Sequence, residues 1–85
     1  MNDLWFVYMI QNDKGHLYTG ITNHLIRRYR QHQNQHGAKY FRRSPAKELV
    51  YVTTVEGRSE ASKLEHQIKS LRRFEKLQLI QEVQR

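Results

Sequence analysis

Apolar and polar positions along this chain follow two different periods. Leu4-Trp5-Phe6-Val7-Tyr8-Met9-Ile10 is an unbroken apolar run rich in aromatic and β-branched residues, which predicts a strand buried on both faces. Gln11-Asn12-Asp13-Lys14-Gly15 holds the residue types that tolerate tight turns, and His16 to Thr22 reads as a second strand. Two strands joined by so short a polar turn predict a β-hairpin. From His24 to about Gln33 the period changes to that of a helix, capped by Thr22 or Asn23, with Leu25, Ile26 and Tyr29 as its apolar contacts. Gly37 offers a stop to the polar stretch that follows. Tyr40 to Ala46 reads as a basic loop broken at Ser44-Pro45. Glu48 to Val55 is a third strand and Gly57-Arg58 a turn. Ser59 is the expected N-cap of a helix whose Ala61, Leu64, Ile68 and Leu71 form one packed stripe. Phe74, Leu77, Leu79, Ile80 and Val83 predict a last helix. No Gly or Pro separates these two helices, so a single long bent helix stays open. The order β-β-α-β-α-α predicts an α+β fold with a small three-stranded, mostly antiparallel sheet flanked by helices.

Length and composition narrow this further. With 85 residues the chain is expected to form one domain, residues 1–85, with a small core. No apolar stretch is long enough to cross a bilayer as a helix, and Met1-Asn2-Asp3-Leu4-Trp5 has no signal-peptide pattern, so neither membrane insertion nor export is expected. There is no cysteine, which excludes disulfides and thiolate metal sites and suits a cytoplasmic location. Charge changes the picture most. Fifteen Lys and Arg against eight Asp and Glu give a formal net charge of +7. The basic residues cluster as Arg27-Arg28-Tyr29-Arg30, Lys39-Tyr40-Phe41-Arg42-Arg43 and Lys69-Ser70-Leu71-Arg72-Arg73. Such clusters attract a polyphosphate backbone whatever its sequence, so a nucleic acid is the expected partner.

Several short blocks then point to a family. Phe6-Val7-Tyr8 and Tyr18-Thr19-Gly20 lie on the two hairpin strands. Arg27-Arg28-Tyr29-Arg30-Gln31-His32 follows on the first helix, and Ser59 to Lys69 carries a glutamate, Glu65, in mid-helix. In this order and spacing the blocks resemble the GIY-YIG nuclease superfamily. Gly37-Ala38-Lys39-Tyr40 and Glu48-Leu49-Val50-Tyr51 resemble its short bacterial branch, whose members consist of this domain alone. The resemblance spans nearly the whole chain. It implies hydrolysis of a DNA phosphodiester with one divalent metal, usually magnesium, with manganese as a substitute. RNA stays open as a substrate. A chain this short has no second domain to read sequence, so nucleic-acid shape or a protein partner would supply selectivity.

The residues can be weighed one by one. Glu65 is the expected metal ligand, since a hard cation takes oxygen donors and often only one or two carboxylates. It lies beside the packed stripe of its helix, although an ordinary surface glutamate would sit there too. Arg28 and His32 share a helix face at i and i+4. Arg28 falls ten residues after Tyr18, where the resemblance places the arginine of the active site. A guanidinium suits phosphate because its planar fork binds two oxygens and stays charged. His32 is expected to bond a tyrosine or a phosphate, its plain alternative being an exposed polar histidine. Tyr8 and Tyr18 match the paired tyrosines of the family, with Tyr18 assigned to the attacking water and Tyr8 to a supporting place. A phenol titrates near ~10, so either would need strong local help to act as a base. Gly20 is expected where backbone and neighbour approach closely. Arg27, Lys39, Tyr40, Arg42 and Arg43 are expected to contact nucleic acid, with Tyr40 stacking on an exposed base.

The chain also departs from the family pattern. Phe6 stands in place of the first glycine, Ile21 and Thr22 stand where one branch has a lysine, and no asparagine follows Asn34. Many members carry an asparagine downstream of the metal glutamate. The second expectation is therefore a nucleic-acid-binding module that keeps the fold without cleavage. Zinc is not expected: there is neither a cysteine nor an HExxH motif.

Overall fold

The computed structural model describes residues 3–33 and 46–83, and its three strands and three helices follow the predicted order. The strands are β1 (Leu4–Asn12), β2 (Leu17–Thr22) and β3 (Ala46–Glu56). The helices are α1 (Leu25–Gln33), α2 (Arg58–Lys69) and α3 (Arg73–Val83). The sheet order is β2-β1-β3, and both pairings are antiparallel.

The central place of β1 explains its unbroken apolar run. Side chains alternate across a strand, so a middle strand covered on both faces needs apolar residues at every position. Val7 and Met9 pack on one face with Tyr51, Ala61, Ile68 and Ile80, which come from β3, α2 and α3. Tyr8 and Ile10 lie on the other, against Tyr18, Leu25, Tyr29 and Val52. The sheet is thus sandwiched between α1 and the α2–α3 pair. Among the described residues no helix is long and apolar enough to cross a membrane.

The turn between β1 and β2 is held by Asn12, whose buried side-chain oxygen accepts from the backbone N–H groups of Lys14 at 3.0 Å and His16 at 2.8 Å. This is the local bond that makes asparagine a turn residue. From the far end of the chain, Arg73 Nη2 donates to the Gly15 carbonyl at 3.0 Å. Thr22 ends β2 and caps the next helix, its Oγ1 accepting from the His24 backbone N–H at 3.0 Å.

Three expectations need correction. Ile26 does not pack: it is 70% exposed, because α1 turns Leu25, Tyr29 and His32 to the sheet instead. Ser59 is not an N-cap. The helix begins one residue earlier, after Gly57 at φ 86°, and no side chain caps it. That backbone angle disfavours any residue with a Cβ. Strand β3 begins at Ala46 rather than Glu48, with two register irregularities opposite Met9–Ile10 and Gln11–Asn12. Of the two possibilities for the C-terminal stretch, the two separate helices α2 and α3 are found and the single bent helix is not. Ser70 closes α2 by donating its hydroxyl to the Gln67 carbonyl at 2.7 Å, and the Glu75 carboxylate accepts the Arg72 backbone N–H at 2.9 Å to open α3. The second contact is the glutamate half of a capping box.

Candidate active site

Tyr8, Tyr18 and His32 meet on the α1 face of the sheet. The hairpin register sets Tyr8 opposite Gly20 and Ile10 opposite Tyr18, so both tyrosines project to the same side. His32 reaches them from the C-terminal end of α1. Tyr8 Oη and His32 Nε2 are 2.9 Å apart, and the Tyr18 ring meets the imidazole edge-on with centroids 5.3 Å apart. Tyr8 is 1% exposed and His32 0%. The reading of His32 as an exposed histidine is thereby excluded.

Gly20 is what makes room for this arrangement. A Cβ at position 20 would sit 2.5 Å from Tyr8 Oη, 2.7 Å from Tyr8 Cζ and 3.1 Å from Tyr18 Cε1. Its role is to admit the Tyr8 phenol, since its φ is ordinary. Gly20→Ala should therefore lower stability by about 1–3 kcal/mol, the usual cost of overpacking a filled site. In thermal melts this is a fall of roughly 5–20 °C. Adding Tyr8→Phe should restore only part of the loss, because Cζ stays in the way. An unchanged melting temperature in Gly20→Ala would show that Tyr8 does not occupy this position.

Burial sets the protonation of both groups. It pushes the Tyr8 phenol up to about 12, aided by Tyr18 and Glu65 and opposed by the Arg28 guanidinium. It pulls the His32 imidazole down to about 4, and the positive charge of Arg28 works in the same direction. At neutral pH both are uncharged, and the Tyr8–His32 contact is a neutral hydrogen bond. Arg28 is near enough for its guanidinium to pull the Tyr8 phenol back down against burial.

Arg28 is half-buried while Arg27 is exposed, which separates the two arginines as their helical offset predicts. Arg28 Nη1 donates to Gln31 Oε1 at 3.0 Å. Sequence reasoning missed Gln31 as the residue orienting Arg28, although its i+3 spacing on the same helix was available. Glu65 comes from α2, which packs against β2 and β1. Its side chain is 23% exposed, close enough to Tyr8 to raise its pKa, and 3.3 Å from Lys69 Nζ. Lys69 as its partner was likewise not anticipated. Lys39, Tyr40, Arg42 and Arg43 lie outside the described residues.

Among the described residues no three His, Cys, Asp or Glu side chains gather to hold an ion. A zinc-type cage is therefore not present there. A single sheltered carboxylate that already holds a cationic group suits magnesium, which keeps several waters and completes its shell from substrate phosphate. Glu65 fits that pattern.

A family model for the GIY-YIG catalytic domain matches residues 4–78. The UPF0213 protein OB0043 of Oceanobacillus iheyensis is 42% identical over 81 residues, covering 95% of this chain and 94% of that protein. The UPF0213 protein plu4503 of Photorhabdus laumondii is 41% identical over 76 residues, covering 89% and 73%. The solution NMR structure of the UPF0213 protein BH0048 from Bacillus halodurans superposes with a TM-score of 0.59 at 35% identity, over 92% of this chain and 83% of that one. Matched across most of its length, and carrying the hairpin tyrosines of that domain against a buried histidine, the chain belongs to the GIY-YIG catalytic-domain family.

Proposed function

We propose that this protein is a metal-dependent endonuclease that hydrolyses DNA phosphodiesters with low sequence specificity, selecting its substrate by shape. The observation that carries this reading is the division of labour between the two tyrosines. Tyr8 is buried, neutral and bonded to His32, so it cannot take a proton at neutral pH. Tyr18 is only half-buried beside it, which makes it the tyrosine of the pair more open to substrate and water.

Hydrolysis needs an oriented water, an acceptor for its proton and positive charge on the phosphate as the new P–O bond forms and the old one breaks. Tyr18 orients the water and receives or relays its proton. The Tyr8–His32 pair positions Tyr18 by packing against its ring. Arg28 offers its fork to the non-bridging oxygens of the phosphate. Glu65 would hold magnesium, or manganese in its place, and the ion when bound would supply positive charge at the phosphate. Arg27 contributes a backbone contact that places the strand.

One sequence feature favours a second reading, a binding module without cleavage: no asparagine follows Asn34. The two separate on labelled branched and linear DNA incubated with magnesium, with manganese and with chelator. The nuclease reading expects cutting that requires metal and favours the branched substrate. Salt-dependent binding with no cutting under any metal would establish the binding module instead.

A further inference from the structure

We propose that the cleft at the start of α1 is a subsite for the nucleotide next to the one cleaved, with its phosphate held by guanidinium groups and its sugar or base facing side-chain amides. The inference rests on the nuclease reading and gives that site a direction along the strand. The cleft has a volume of about 230 Å³ and is lined by Thr22, Asn23, His24, Arg27, Arg28 and Gln31.

Three observations argue for this ligand. Every lining residue is of a polar type, two carry guanidinium groups and none a carboxylate, so the cleft attracts anions. Gln31 gives its Oε1 to Arg28, which leaves the two N–H donors of its amide for a ligand. Arg28 lines this cleft and stands one helical turn from His32, which meets Tyr8 in the tyrosine cluster. The cleft is thus next to the cluster, and a ligand in it adjoins the phosphate there. Successive phosphates along a strand have that relation. A lone inorganic anion would use the arginines but leave Asn23 and Gln31 idle. The wall itself is held by Thr22, whose hydroxyl accepts the His24 backbone N–H.

Two measurements on the full chain test the proposal. In the first, thymidine 5′-monophosphate and inorganic phosphate are titrated separately into isotope-labelled protein, with amide signals followed by NMR. Thymidine monophosphate should move the backbone signals of Asn23, His24 and Arg27 and the side-chain amides of Asn23 and Gln31. Inorganic phosphate should leave those side-chain amides still. Equal shifts from both would reduce the site to a general anion contact and overturn the subsite. In the second, affinity for a labelled single-stranded oligonucleotide is measured at fixed salt. Asn23→Ala and Gln31→Ala should together weaken binding about tenfold, the value of two modest hydrogen bonds. Tight binding unchanged in both variants would overturn the subsite and leave the nuclease reading standing. Failure of the unaltered protein to bind any oligonucleotide would overturn both.

Discussion

Arg28→Ala should lower metal-dependent cleavage on the order of 10³-fold while the protein stays folded, as removal of a donor aimed at developing charge does in other hydrolytic sites. The size of the effect follows from position. Arg28 is half-buried and held by Gln31, so its fork is oriented before substrate arrives. A guanidinium fixed in a partly desolvated place stabilises a phosphate gaining charge far more than one moving freely in water. Arg28→Lys should recover little, because a flexible point charge replaces a planar fork. Arg27→Ala is the contrast. Being exposed, Arg27 should contribute one phosphate contact, so its loss weakens binding and lowers the salt slope by about 1, with the single-turnover rate at saturation unchanged. The two variants are compared in one experiment, by single-turnover rates alongside DNA binding at several salt concentrations. Equal effects from both would mean that Arg28 is another backbone contact and nothing more.

Acid should destabilise this protein through His32 before its carboxylates dominate. In the folded chain the imidazole is held down to about 4 from its ordinary 6.5. Between those values the unfolded chain binds a proton that the folded chain refuses. Stability is therefore complete above about pH 6.5, falls as pH drops towards 4, and levels off below it with respect to this group. The interval corresponds to about 3 kcal/mol, a large share of the stability of a small domain. His32→Phe keeps an aromatic ring in the site but has nothing to protonate. It should be less stable than wild type at pH 7, having lost the bond to Tyr8, and should show a flatter dependence between pH 4 and 7. Denaturant melts across that range measure the difference between the two curves, which cancels the carboxylates common to both. Parallel curves would contradict the burial of a neutral His32.

The same residue shows what could be read from sequence and what could not. The order of elements was legible because periodicity is local: a continuous apolar run marks a central strand, and the 3-4-3 spacing of Ala61, Leu64, Ile68 and Leu71 marks a helix face. Tyr8, Tyr18, Arg28, His32 and Glu65 could be named because the blocks that carry them resemble the GIY-YIG family. The burial of His32 could not be settled, since a histidine on a polar helix goes inside only when something across the fold accepts it. That partner is the Tyr8 hydroxyl, 24 positions away in sequence. Ile26 fails for the complementary reason. With His32 taking the inward place beside Leu25 and Tyr29, the helix has no further room on that face. The break between α2 and α3 was sought in Gly and Pro, but it is made by Ser70 and by the Glu75 carboxylate, which act through hydrogen bonds rather than forbidden angles. The cleft at the start of α1 escaped notice because a concave surface has no periodic signal. Its lining joins a strand end, a cap and one turn of helix into a shape that only the fold creates.

The most direct test of the account is the single-turnover rate of cleavage of one labelled branched DNA, with magnesium, by wild type and by Glu65→Gln. Glutamine keeps the size of the side chain and removes the charge proposed to bind the metal, and the partly exposed position should tolerate it without loss of fold. Magnesium-dependent cleavage by wild type is expected, with a rate lower by on the order of 10³-fold in the variant, the loss that follows when a metal assisting the phosphate is no longer held. The same trace of cleavage from both proteins, insensitive to chelator, would contradict it.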